Sequence, residues 1–403
     1  MANFLSKPRI RAAVILAVLA AILLLEITIS RYDSWYGEET AEYRHTHGSK
    51  GSVFNHGNVD ETPLNDLNDA KHTVSKKKKA KSSKHGKKHK HKSHKCKNVG
   101  NKRPKVNPGG SNRAYVTWFS SDGNIHRPLE DDQYFIATRI LIWQLLHNPE
   151  TRTNGIDVVV MVDPTIDSRR RERLAKDGAI IYPVEFLTGT VELHPGRPTW
   201  NNIMTKLRVF EMTQYELVLV IDGDSMLLHS LDGVFDDPAT RPQKTLPHEP
   251  REGFAPMPST YVLAGLSEIF DSNHQFPPTP GDIKTPGYMN AGFFVCSPSK
   301  ELFEYYRSFL LVPDERFNSE YMEQNLLRTA HGWDGPMPWK ELDYKWNIRE
   351  PNENDFEQGV VSVHEKFWDT PLIYDNQKVK DWLASRKWEM KGWYDAYDQL
   401  FDD

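Results

Sequence analysis

One stretch constrains the fold of this chain more than any other: Leu217-Val218-Leu219-Val220-Ile221-Asp222-Gly223-Asp224-Ser225-Met226. The apolar, mostly β-branched run 217–221 reads as a fully buried strand. It stops at two carboxylates separated by one glycine. In an open α/β sheet, ligands collect at the carboxyl ends of the strands, so Asp222 and Asp224 are delivered to the usual place for chemistry. Gly223 lets the backbone turn sharply and lets a bulky ligand approach. Two hard oxygen ligands one residue apart suit a divalent cation, Mg²⁺ or Mn²⁺, that itself holds a diphosphate. The bland reading of the same triplet is a polar turn closing a strand.

The flanking sequence extends the pattern. Ala114 to Phe119 reads as a strand, Glu130 to His147 as a helix, Asp157 to Val162 as a second buried strand and Ser168 to Lys176 as a charged helix. Ala179 to Val184 is a third strand, and Asn201 to Gln214 reads as a helix feeding the run at 217–221. Alternating strands and helices with continuous apolar strands predict a parallel sheet covered on both faces. Further on, Met289 to Cys296 reads as a strand with Asn290 at its entry, Ser297-Pro298-Ser299 caps a helix through Phe309, and Glu320 to Ala330 is a helix. Val360 to Val363 forms a short strand ending at His364, and Lys378 to Phe401 is helical.

Charge separates this region from what precedes it. Residues 71–112 hold 15 Lys and one Arg without an acid, whereas 113–403 hold 29 basic and 46 acidic residues, a net charge of −17. So acidic a domain repels phosphate backbones, which excludes nucleic acid as a partner. The only cysteines, Cys96 and Cys296, lie in the basic tract and in an apolar strand, which fits neither a disulfide framework nor a zinc framework. Residues 12–29 are apolar apart from Glu26, about the minimum length for a membrane span, and follow Lys7, Arg9 and Arg11. The expectation is a cytoplasmic tail over 1–11, a transmembrane signal anchor over 12–29, a disordered Lys/His-rich stem over 30–112 and a folded domain over 113–403.

The ordered blocks of the folded region resemble the glycogenin-type retaining glycosyltransferases, a family that includes galactinol synthases and lipopolysaccharide galactosyltransferases. Tyr115-Val116-Thr117 is similar to the family's first strand. Thr205-Lys206-Leu207-Arg208 through Asp224, with Leu231-Asp232 after it, resembles its most diagnostic segment. Asn290-Ala291-Gly292-Phe293-Phe294-Val295 resembles its asparagine-glycine strand and Glu323-Gln324-Asn325-Leu326-Leu327 its acidic-Gln helix. His364 and Lys366-Phe367-Trp368 are similar to its C-terminal His and Lys-Pro-Trp. Three departures stand out. Glu365 alone separates His364 from Lys366, where the family has a longer, Gly-containing spacer, so the two are not expected to keep their usual places without a backbone change. Phe367 replaces the proline, and Glu323 stands where an aspartate is common.

The resemblance implies a GT-A (Rossmann-like) nucleotide-diphospho-sugar transferase fold with a mostly parallel mixed sheet, preceded by the transmembrane helix and stem. It implies a UDP-sugar donor, Mn²⁺ (or Mg²⁺) as cofactor, and a glycan, glycoprotein, glycolipid or polysaccharide acceptor. Asp222, Asp224 and His364 would hold the metal. Trp118, Ser120, Lys206, Asp222 and Asn290 would bind the donor, and Lys366, Gln324 and Glu323 would be catalytic. Imidazole is a normal companion of Mn²⁺ and an unusual one of Mg²⁺, which favours manganese. With the anchor, the expected location is the Golgi membrane, single-pass type II, with the catalytic domain lumenal. The alternatives are a catalytically weak sugar-nucleotide-binding or lectin-like module, and a basic-tract tether for polyanions.

Overall fold

The computed structural model describes residues 110–120, 127–368 and 376–401. All belong to the second of the two units into which the chain divides, His94–Asp403.

Three strands in series build the first half of the sheet: β1 (Arg113–Phe119), β2 (Asp157–Val162) and β3 (Ile180–Pro183). Between them lie α1 (Gln133–Leu146) and α2 (Ser168–Lys176). Both helices start where the sequence supplies an N-cap carboxylate. Asp132 accepts from the Phe135 amide and Asp167 from the Arg170 amide. β2 is buried at every position, as its unbroken apolar run requires of a strand covered on both faces.

The segment before β4 (Leu217–Ile221), expected as a helix over Asn201 to Gln214, is a shorter 3₁₀ helix, Ile203–Glu211. Asn202 makes no side-chain cap there, and the β-branched Ile203, Thr205 and Val209 lower α-propensity. β4 is followed by β5 (Ser225–Leu227), β6 (Gln243–Lys244), β7 (Thr260–Tyr261), β8 (Leu263–Ser267) and β9 (Met289–Cys296). Then come α3 (Lys300–Leu311), capped by Ser299, α4 (Met322–Ala330), β10 (Lys340–Glu341), β11 (Ile348–Arg349), α5 (Glu353–Glu357), β12 (Ser362–His364) and α6 (Gln377–Phe401).

The main sheet has the order β10-β8-β9-β4-β1-β2-β3. Every pairing is parallel except the two made by β9, which runs antiparallel to β4 and β8. The result is the mostly parallel mixed sheet of a GT-A-like α/β fold. One core packs on each face. Val116, Met161, Val218, Phe210 and Phe294 lie in one, and Tyr115, Val160, Leu219, Ile221 and Val295 in the other, the alternation that strand geometry dictates. A second sheet, β11-β12-β5, was not read from the sequence. It joins α1 and α6 in a third core through Ile140, Met226, Val363, Phe367 and Leu383.

Two expectations are corrected here. Among the described residues no helix is long and apolar enough to cross a membrane. The longest, α6, has 25 residues but carries Lys378, Lys380, Asp381, Arg386 and Glu389 among others, charges that hydrocarbon does not accommodate. The anchor expected at 12–29 and the stem at 30–112 lie outside the described residues, apart from 110–112. The fold is therefore described without a transmembrane helix before it. The expected single-pass type II Golgi placement is likewise without support from any described helix.

Candidate active site

The two carboxylates leave β4 at its carboxyl end, next to the antiparallel β9. The Asp222 amide donates to the Gly292 carbonyl at 2.8 Å, continuing the β4–β9 ladder. Gly223 packs against α1, where a Cβ would stand 2.8 Å from Thr138 Oγ1, so the turn between the acids has room for glycine alone. The chain then re-enters a sheet at β5. Because β12 pairs antiparallel with β5, His364 is set opposite Ser225. His364 Nε2 lies 3.1 Å from Asp224 Oδ1 and 3.8 Å from Asp222 Oδ2.

Asp222, Asp224 and His364 thus offer one ligand atom each, all within 4.8 Å of one another. The surroundings fit a cation. Gly292 is the floor of the group: a Cβ there would lie 2.4 Å from His364 Cε1 and 2.8 Å from Asp222 Oδ2. Any side chain at 292 would push the ligand atoms apart. Hard carboxylate oxygens with one imidazole are a donor set for Mn²⁺.

Electrostatics binds the group together. Burial works against ionising Asp224, but His364 beside it, with help from Lys366, holds its carboxyl well below the usual range. Burial likewise disfavours charge on His364, yet Asp224 and Asp222 raise its pKa.

Lys206 closes the other side. It comes from the 3₁₀ helix before β4 and donates to Asp222 Oδ1 at 2.8 Å and to the Ala291 carbonyl at 3.3 Å. Its third neighbour is Glu323 Oε1 at 3.1 Å. Burial would lower the Lys206 pKa, but Asp222 and Glu323 raise it above the ordinary lysine value. Burial, reinforced by Asp222 and opposed by Lys206, raises that of Glu323. Glu323 is swung into this position by Met322, whose φ of 45° lies in the left-handed region and costs a non-glycine residue roughly 1–2 kcal/mol. That turn also starts α4 at Met322 rather than at Glu320.

Asn290 and Gln324 grip β9. Asn290 Oδ1 accepts from the Gly292 amide, and Gln324 Oε1 accepts from the Ala291 amide, both fixing the strand under the triad. Lys366 lies close enough to act electrostatically on Asp224 and on Tyr134. The short spacing therefore does not separate His364 from Lys366. A tight bend serves both, with the Glu365 amide donating to the Asp224 carbonyl and its carboxylate accepting from the Lys366 amide. Trp118 is half-buried and packs on the core beneath the sheet, while Ser120 Oγ donates to Asp163 Oδ2 at 2.6 Å across the ends of β1 and β2. Neither takes part in the ion pairs that hold the triad together.

Three neighbours escaped the sequence reading. Glu268 accepts from Asn290 Nδ2 at 2.9 Å. Arg349 is the register partner of His364 across β11 and β12. Tyr134, 43 % exposed at the start of α1, lies within electrostatic reach of both aspartates. Glu268 follows β8, hidden among loop residues. Arg349 sits on a two-residue strand that carries no period. Tyr134 has only its place at the start of a largely buried helix.

An α/β fold with a carboxylate pair and a histidine at the carboxyl end of its central strand has the architecture of a GT-A-like transferase. No protein-family model matches the chain. Among curated proteins it is 28 % identical to Schizosaccharomyces pombe C4C3.09, an uncharacterised protein, over 67 % of this chain and 75 % of that one. It is 25 % identical to Komagataella phaffii glycogenin, over 67 % of this chain and 58 % of the relative. It is 23 % identical to Arabidopsis thaliana galactinol synthase 2, over 72 % of this chain and 82 % of the relative. The chain is a glycosyltransferase, similar in sequence to glycogenin and galactinol synthase.

Proposed function

We propose that residues 113–403 form the catalytic domain of a metal-dependent retaining transferase that moves a hexosyl group from a UDP-sugar to a hydroxyl of a glycan or similar acceptor. The observation that carries this reading is the convergence of Asp222, Asp224 and His364 on one point, with Lys366 beside Asp224. Mn²⁺ is the favoured ion, by the imidazole in the set. When bound, it supplies Lewis-acid stabilisation of charge on the departing diphosphate.

The rest of the chemistry belongs to this chain's own residues. The bond from the anomeric carbon to the β-phosphate oxygen breaks, and its electron pair leaves with UDP. The acceptor oxygen bonds to the anomeric carbon on the face the diphosphate leaves, and its proton passes to the departing phosphate oxygen. Lys366 places an ammonium where negative charge grows on the departing diphosphate. Asn290 and Gln324 stiffen β9 beside the sugar, which holds the donor sugar in place for the transfer. Trp118 and Ser120, at the end of β1, are assigned to the uridine side.

The test is a panel of UDP-glucose, UDP-galactose, UDP-GlcNAc and UDP-glucuronate with the full chain, following UDP release in Mn²⁺, Mg²⁺ or EDTA. Release that requires the cation with at least one donor is expected. No cation-dependent release or binding with any of them would refute the proposal.

A further inference from the structure

Lys206 and Glu323 are 3 % and 4 % exposed, deep beside a site that must stay open to substrate. The Lys206 ammonium has three protons and three oxygen neighbours, on Asp222 at 2.8 Å, Glu323 at 3.1 Å and Ala291 at 3.3 Å. So surrounded, it keeps no proton for a diphosphate. Its effect falls on Asp222, which it holds by Oδ1 while Oδ2 faces His364.

Charge explains why an acid stands at 323. Against the single positive charge of Lys206, the buried group sets Asp222, Asp224 and Glu323. With a neutral imidazole this leaves two net negative charges, which one divalent cation balances. Without Glu323, Lys206 would cancel Asp222 and offer the cation only half that charge. Length matters as well, because an aspartate at 323 would fall about one methylene short of Lys206, beyond direct contact.

We propose that Glu323 is a positioning residue of the cation site: through Lys206 it keeps Asp222 oriented and charged toward a divalent cation, and neither Glu323 nor Lys206 touches the donor's diphosphate. The proposal rests on the reading of Asp222, Asp224 and His364 as metal ligands.

The experiment titrates Mn²⁺ into the full chain without nucleotide, by calorimetry or by the electron paramagnetic resonance signal of free Mn²⁺. Glu323→Gln should bind Mn²⁺ about 10- to 100-fold more weakly than the wild type, the usual scale for residues that support a metal ligand. Glu323→Asp should fall between the two, since it keeps the charge and loses the reach. With Mn²⁺ raised to saturate each variant, UDP should bind all of them with wild-type affinity. An unchanged Mn²⁺ affinity in Glu323→Gln, beside a wild type that binds Mn²⁺, overturns the proposal. So does a UDP affinity that stays low at saturating Mn²⁺, because it puts the pair on the diphosphate. A wild type that binds no Mn²⁺ overturns the ligand assignment itself, and the proposal with it. If melting curves show Glu323→Gln unfolded, Glu323→Asp decides by the same criterion, with unweakened binding counting against.

Discussion

His364 meets Asp224 at 3.1 Å because two three-residue strands, β5 and β12, set residue 364 opposite residue 225. The first carboxylate pair comes from local sequence, and its third partner from far along the chain. If these groups hold the cation, Asp224→Asn removes a charged ligand while keeping its shape. Turnover should fall about 10³-fold, the scale of several kcal/mol of charge stabilisation. The domain should stay folded but melt at a lower temperature, since Asn keeps the shape and loses the charge paired with His364. Full activity in this variant would remove Asp224 from the mechanism.

Gly292→Ala tests the floor of the same site. The added methyl would lie 2.4 Å from His364 and 2.8 Å from Asp222 and Asn290. One of those side chains must move, and the strand beneath is locked between β4 and β8. Mn²⁺ binding should weaken at least about tenfold, and stability should fall by roughly 1–3 kcal/mol from overpacking. Wild-type Mn²⁺ affinity in a folded Gly292→Ala protein would show that His364 is not needed in its observed place.

What could be read from residues alone follows the range of the forces involved. The run 217–221 and the all-apolar β2 declare themselves because a strand buried on both faces needs no partner to be recognised. The acids at 222 and 224 are fixed by that strand. Local chemistry also marked Ser299 as the cap of α3. Of the sheet β11-β12-β5 only the strand ending at His364 was legible; β5 and β11, of three and two residues, carry no period, and the pairing of all three depends on the whole domain. Its consequence, the meeting of His364 with Asp224, could be suggested only by resemblance. Glu323 was expected to act on substrate. Its ion pair with Lys206 depends on a positive φ at Met322, which no sequence pattern encodes.

Lys366 separates chemistry from cation binding. Its charge lies near Asp224 and opposes a second cation there. Lys366→Met should therefore leave Mn²⁺ affinity unchanged or tighter, since one positive charge is removed. Turnover should drop by about 10²- to 10³-fold, the loss expected when one donor to a developing anion is removed. Titration calorimetry and UDP-release rates on the same preparation measure both. A variant that loses Mn²⁺ and activity together would make Lys366 a support of the metal site, not a group facing the leaving diphosphate.

His331 gives the domain a pH dependence independent of the active site. It is fully buried, its Nδ1 is 2.7 Å from the Met337 carbonyl and its Nε2 2.6 Å from the Tyr306 hydroxyl. The carbonyl can only accept, so Nδ1 carries the proton and Nε2 accepts from Tyr306. A second proton has no place, and burial lowers the His331 pKa from 6.5 to about 4, against a smaller opposing effect of the Met337 carbonyl. In the unfolded chain this histidine takes up its proton near its ordinary value. Between those limits the unfolded state binds more protons, so stability declines as pH falls. The contribution is fully present above the ordinary histidine range and is lost on the way down to about pH 4. For this shift it amounts to about 3 kcal/mol. Urea unfolding of the wild type and of His331→Gln, each near neutrality and near pH 4, isolates it from the other titrating groups. The wild type should lose about 3 kcal/mol more than the variant. Equal losses in the two proteins would mean that His331 accepts its proton while folded.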